Sequence, residues 1–214
     1  MTANAPKKKK TDGLRQERSK FPHHIGVEAY GVKLSVITND ASAIDEIEAA
    51  LPAVLAEHYA VNTRGEPDHV FRLMRNRSGL DTLYKNGKRE YAGVSRAEMI
   101  GLLCSNLRLT IAEHAPRFVF VHAGVVAWKG KAIIIPGTSH SGKTTLAYEL
   151  AKLGALYYSD EYAVIDERGR VHPFAKPLSM RAKNGDSRQT DRTVESIGGR
   201  AGTKPVSIGL VVLT

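Results

Sequence analysis

Apolar residues change their period along this chain, and the changes mark out its elements. Val32–Thr38 alternates apolar and polar positions with the period of two that a half-buried strand requires. Ser42 then opens a helical pattern through Ile44, Ile47 and Leu51. Pro52 is expected to kink or break that helix ahead of Val54 and Leu55, because its ring removes a backbone donor. Residues 70–74 have strand character, and 82–85 and 88–91 flank Asn86-Gly87, the dipeptide that best tolerates a two-residue hairpin turn. Residues 21 to about 92 thus predict a small α+β unit of strand, helix, strand and hairpin, in which no titratable cluster suggests chemistry.

Ser95 followed by Glu98 is a capping box. Ile100, Leu103, Cys104, Leu107 and Ile111 continue it at helical spacing until Pro116. The pattern then turns to strands: Phe118–Trp128, the turn Lys129-Gly130, and 131–135. So short a connection implies an antiparallel pair, since a parallel pair needs a crossover of a dozen residues or more. Further strands are expected at 155–159 and 162–166, and at 171–174 beyond a turn containing Gly169. The last apolar stretch, 206–214, is strand-like with no closing helix, as though the domain were cut there.

Composition narrows the classes. At 214 residues, with 42% hydrophobic and 25% charged, the chain suits one globular domain with at most a small appendage, and not a collagen-like, repeat or wholly disordered protein. No apolar run approaches the roughly 18 to 20 residues of a membrane-spanning helix. The N-terminal lysines precede no apolar stretch, so no secretory signal is expected. The single cysteine, Cys104, forms no internal disulfide and fits a reduced, cytoplasmic protein with a buried thiol. Of the net charge of +9, residues 1–20 carry +5, from seven basic and two acidic side chains. That segment is too polar to bury surface and is expected to be a disordered basic arm. No zinc-finger, helix-turn-helix or RNA-binding motif accompanies it, so the charge does not call for nucleic acid. Three regions follow: the arm at 1–20, the α+β unit at 21–92, and a second domain at 93–214.

That second domain holds the motif with chemistry in it. Gly137-Thr138-Ser139-His140-Ser141-Gly142-Lys143-Thr144 fits G-x-x-x-x-G-K-[ST] at every required position, between a strand and a helical pattern. From average residue usage, a chance match is expected in under about 1% of chains this long. Its glycines let the backbone curl so that successive N–H groups converge on a phosphate, and a helix expected from about Ser141 adds the positive end of its dipole. Lys143 is expected to reach the terminal phosphates, and the Thr144 hydroxyl suits a Mg²⁺ bridging their oxygens. The helix runs through Leu146, Ala147, Leu150 and Leu153 to a stop at Gly154.

Asp160-Glu161 stands at a strand end 17 residues beyond the lysine, where a nucleotide-bound Mg²⁺ needs oxygen ligands. One acid would hold the metal and the other accept a proton; the plainer alternative is a pair solvated at a loop tip. His122 lies on the strand paired with the one entering the loop, as a catalytic group or as a structural histidine.

His122-Ala123-Gly124-Val125-Val126, the stretch 137–145, Ser159-Asp160-Glu161, and Lys176-Pro177-Leu178-Ser179-Met180-Arg181 together resemble the catalytic domain of HPr kinase/phosphorylase and its HPr-kinase-related relatives. The resemblance covers roughly residues 118–214. It implies an α/β P-loop domain with a mixed sheet of the phosphoenolpyruvate carboxykinase-like type, in which the loop follows an antiparallel hairpin. By position it implies a nucleotide cradle from Gly137 to Thr145, with Lys143 and Thr144 on the phosphates and Mg²⁺. Asp160 matches the first aspartate of the family's pair and His122 its active-site histidine. Glu161 replaces the second aspartate; we assign Asp160 as base and Glu161 as metal ligand. Arg181 is either a partner for phosphate or substrate or a solvated strand-end arginine. The helical segment on which the family's phosphorylase activity and hexamer depend is not seen, and homo-oligomerisation stays open.

The expected function is an ATP- and Mg²⁺-dependent phosphotransferase acting on a hydroxyl, a serine of a small protein or peptide. The rival from another class is a nucleotide-binding regulatory or scaffold protein with little catalysis, and a third, weaker reading is a nucleic-acid-associated ATPase using the basic arm.

Overall fold

Two mixed β-sheets, a two-stranded ribbon and three α-helices make up the described residues of the computed structural model, which are 21–56, 58–138, 141–176, 178–181 and 189–213. The architecture is mixed α/β. The basic arm expected at 1–20 lies outside the described residues. Among those residues no helix is long and apolar enough to cross a membrane. The chain clusters into two compact units, one from the residues up to Leu51 with Tyr59–Leu109, the other from Pro52–His58 with Thr110 onward.

The first unit contains β1 (His23–Ala29), β2 (Val32–Thr38), most of α1 (Ser42–Leu55), β3 (Tyr59–Val61), β4 (His69–Arg75), β5 (Asp81–Lys85), β6 (Lys88–Val94) and most of α2 (Arg96–His114). Its sheet runs β3-β1-β2-β4-β5-β6, and β2 with β4 is its one parallel pair, joined through α1. Asn86 and Gly87 take φ of 50° and 84°, as the hairpin they were expected to form requires. Register sets Ile25 beside Val36 and Val36 beside Phe71, a row of buried apolar side chains on one face. Ile47 and Leu51 of α1 are fully buried. The helix continues through Pro52 to Leu55, so of the expected kink or break the break does not occur. Pro52 lies on the exposed side, and so does Glu48, whose carbonyl loses its helical donor to the proline ring, while Val54 and Leu55 are buried and hold the last turn. One carboxylate, Asp81, is fully buried, and Arg96 satisfies it with donors at 2.6 and 3.2 Å. On α2 the Ser95 hydroxyl accepts from the Glu98 N–H, and Met99, Leu103, Cys104, Leu107 and Ile111 form its buried stripe.

The second unit is organised by β7 (Phe118–Trp128). It pairs antiparallel with β8 (Lys131–Pro136) through Lys129 and Gly130, whose φ values of 48° and 76° make the tight turn expected from sequence. Next come α3 (Lys143–Lys152), β9 (Leu156–Ser159), β10 (Tyr162–Asp166), β11 (Arg170–His172), the ribbon of β12 (Leu178–Arg181) and β13 (Gln189–Arg192), β14 (Arg200–Ala201) and β15 (Val206–Val211). The sheet order is β10-β11-β15-β8-β7-β9-β14, with a further pairing of β10 to β7, so β7, β8, β15, β11 and β10 close into a ring. On its other side β7 meets two partners in succession, β9 along Val125–Ala127 and β10 along Phe118–His122. Ala123, Val125, Ala127, Ala132, Ile134, Tyr158, Ala163 and Val171 pack as one buried cluster.

The β10–β11 hairpin is closed by Asp166. Its carboxylate accepts from the Arg168 and Arg170 N–H groups at 3.0 and 2.9 Å, from Arg170 Nε at 2.9 Å, and meets His172 Nε2 at 2.9 Å. The His172 bond first, then the Arg170 and Arg168 donors, hold its carboxyl well below the usual aspartate range. A depressed carboxyl stabilises the fold fully above its unfolded pKa of about 3.9 and loses that contribution as pH falls toward the folded value. Asp166→Asn should therefore lower the urea midpoint at neutral pH, and its deficit against the wild type should shrink progressively below about pH 4; a pH-independent deficit would disprove the assignment.

Candidate functional site

Strand β8 ends at Pro136, and the chain reaches α3 through the glycine-rich segment. Gly137 and Thr138 are described; Ser139 and His140, both expected in the cradle, lie outside the described residues. Ser141 N donates to Thr138 O at 3.2 Å. Gly142 takes a left-handed φ of 92° as the residue before the helix, so α3 begins at Lys143, two residues later than expected. No side chain caps this end, and the first intrahelical bond there runs from Leu146 N to Gly142 O. The N–H groups of Lys143, Thr144 and Thr145 are thereby outside the helical ladder. Lys143 is buried, and its ammonium donates back across the turn to Thr138 O at 2.5 Å. Thr144 is half-buried and Thr145 exposed.

Two residues of β7 bring the rest together. Gly124 passes directly beneath the start of α3: a Cβ built on it would lie 3.2 Å from Lys143 O and 3.5 Å from Lys143 Cβ. One residue earlier, Ala123 N donates to Glu161 O at 3.1 Å. The acid pair occupies the link where β9 gives way to β10 alongside β7, between the pairs Val125–Ser159 and His122–Tyr162. Ser159 shapes that link, since its buried hydroxyl accepts from the N–H groups of Glu161 and Tyr162 at 3.1 and 2.9 Å. Because β8 and β9 both run antiparallel to β7, the loop after β8 and the acids after β9 leave the sheet at the same end.

The two acids have different surroundings. Asp160 is buried and accepts from the Tyr157 hydroxyl at 3.0 Å. Burial, followed by the charge of Asp160, pushes the Tyr157 phenol far above its ordinary value, so it acts as a donor. Glu161 is half-buried and ion-paired with Lys176. His122 projects from the exposed part of β7, its ring 6.3 Å from that of Tyr162. Tyr162 in turn packs edge-on with Phe120 and Phe174. Thus the backbones of Lys143 and Glu161 flank adjacent residues of β7, with His122 next in line. Arg181 has its backbone on β12, and its side chain lies outside the described residues.

Sequence reasoning gave no role to Tyr157 or Lys176. Tyr157 stands in a strand as one more aromatic, and Lys176 meets Glu161 across a separation that no local period encodes. Among the described residues no three His, Cys, Asp or Glu side chains cluster as a metal site. The available donors are one acid pair and a hydroxyl, a set that suits a Mg²⁺ held largely by phosphate oxygens. Scanned against models of protein families the chain matches none, and a search of curated proteins also finds no match.

Gly124 is the most sensitive contact of this arrangement. Gly124→Val should force β7 and α3 apart and cost about 1 to 3 kcal/mol in urea unfolding. Gly101→Ala on α2, where an added Cβ meets nothing within 4 Å, should instead stabilise by up to about 1 kcal/mol. Equal effects from both would refute the close approach.

Proposed function

We propose that this protein is an ATP- and Mg²⁺-dependent phosphotransferase of HPr-kinase type, acting on a hydroxyl of a small protein or peptide. The observation that carries the reading is the buried Lys143 ammonium bonded to its own loop at Thr138 O, at a helix start that lies against β7, the strand that also bonds the backbone of Glu161. A buried ammonium whose hydrogen bond among the described residues goes to a backbone carbonyl is a strong site for a polyphosphate, and the uncapped N–H groups of Lys143, Thr144 and Thr145 add donors. The fold reading is of the phosphoenolpyruvate carboxykinase-like type, supported by the antiparallel β7–β8 hairpin leading into the loop.

In this mechanism Lys143 and the loop amides hold the terminal phosphates. Thr144 and Glu161 would hold Mg²⁺, which would supply charge neutralisation of the transferring group. Asp160, fixed by Tyr157 at Oδ1, takes the proton of the acceptor hydroxyl. His122, opposite Tyr162 on the exposed part of β7, would orient Asp160. One observation favours the non-catalytic alternative of a nucleotide-binding regulator: Glu161 is already neutralised by Lys176.

Titration with MgATP followed by transfer assays with labelled ATP in a lysate of the source cell separates the readings. Lys143→Ala should weaken nucleotide binding at least about tenfold. Asp160→Asn should bind normally and lose about 10²- to 10⁴-fold in transfer. Transfer by Asp160→Asn at the wild-type rate would remove Asp160 as base. MgATP binding by the wild type without turnover would favour the regulator, and no binding at all would end both readings.

A further inference from the structure

Lys176 is gripped at both ends. Its ammonium meets Glu161 Oε2, with the two side chains only 15% and 19% exposed, while its carbonyl lies 3.2 Å from the Tyr157 hydroxyl that also serves Asp160. Two residues earlier, Phe174 N donates to Tyr158 O at 2.9 Å and pins the same segment to β9. The chain therefore places a cation of its own on one acid of the pair, and brings the carbonyl of that residue to the phenol that donates to the other.

The electrostatic consequence is direct. Two like charges in succession, both withdrawn from water, repel, and a partner that neutralises one relieves the repulsion. An ammonium and a divalent cation compete for the same carboxylate oxygens. Resting on the phosphotransferase reading above, we propose that Lys176 is a positioning residue: a built-in counter-ion that holds the Glu161 carboxylate and yields it to an incoming divalent cation. Lys176 thereby sets the cation concentration at which the site loads. The Phe174 N–H bond to Tyr158 O remains as the tether, so the segment at 174–176 stays on β9 when the ammonium leaves.

The test uses the full chain and Mn²⁺ alone as probe, followed by water-proton relaxation. With Lys176→Met this ion pair of Glu161 is removed, and Mn²⁺ should bind on the order of tenfold tighter than to the wild type, the shift expected when an ion-pair competitor is removed. Lys176→Arg should keep the wild-type affinity, and the double variant Lys176→Met with Glu161→Gln should lose the gain. Unchanged Mn²⁺ affinity in Lys176→Met, or a gain that survives Glu161→Gln, would overturn the proposal. Should Lys176→Met fail to fold, the wild type answers by itself: acetylation of Lys176, read by mass spectrometry, should rise when Mn²⁺ and ATP are bound, and an unchanged extent would count against the exchange. Wild-type protein that binds no Mn²⁺–ATP contradicts the phosphotransferase reading, while the Mn²⁺-only comparison still decides the counter-ion role.

Discussion

One side of a single strand is shared by two partners, and the site follows from that. β7 is too long for β9 alone, so β10 takes over its N-terminal half. Between the two the chain must leave the ladder and rejoin it within a couple of residues. A break of that kind strands backbone groups, and here Ser159 and Ala123 satisfy them, the first through its hydroxyl and the second through its N–H to Glu161 O. Asp160 and Glu161 are where they are because the ladder changes hands there. Gly124, lacking a side chain, lets the start of α3 settle over the same place.

Burying charges close to this junction is tolerable only with compensation. Lys143 has a loop carbonyl, Asp160 a phenol and Glu161 a lysine. Under the proposed function a phosphate would displace the carbonyl and a divalent cation the ammonium, while each charge is compensated as the structure stands.

Much of this was legible in the sequence where structure is local. Asn86-Gly87 and Lys129-Gly130 announce their hairpins because positive φ is a property of the residues themselves. The glycine-lysine segment and the acid pair stand out for the same reason, since spacing encodes a loop and a strand end. β1 is silent, its His23-His24-Ile25-Gly26 opening having little strand character, and pairing with β2 and β3 on both sides makes it a strand. Pro52 reads as a helix breaker but sits where solvent can serve the carbonyl it abandons. The partnerships of Tyr157 and Lys176 depend on which segments the fold lays side by side, and no window of sequence contains that information.

The closed ring of strands has a bearing on how the second unit is made. Its seam is the parallel pairing of β15 with β8, with Ser207 opposite Lys131, and β15 is the last of the ring's five strands to leave a ribosome. Until it arrives, β8 carries an open edge just ahead of the glycine-rich turn. Such a distant pairing makes closure a late and slow event in folding. A nascent chain would spend that interval with the edge of β8 available to other chains, a hazard that a holding chaperone would relieve.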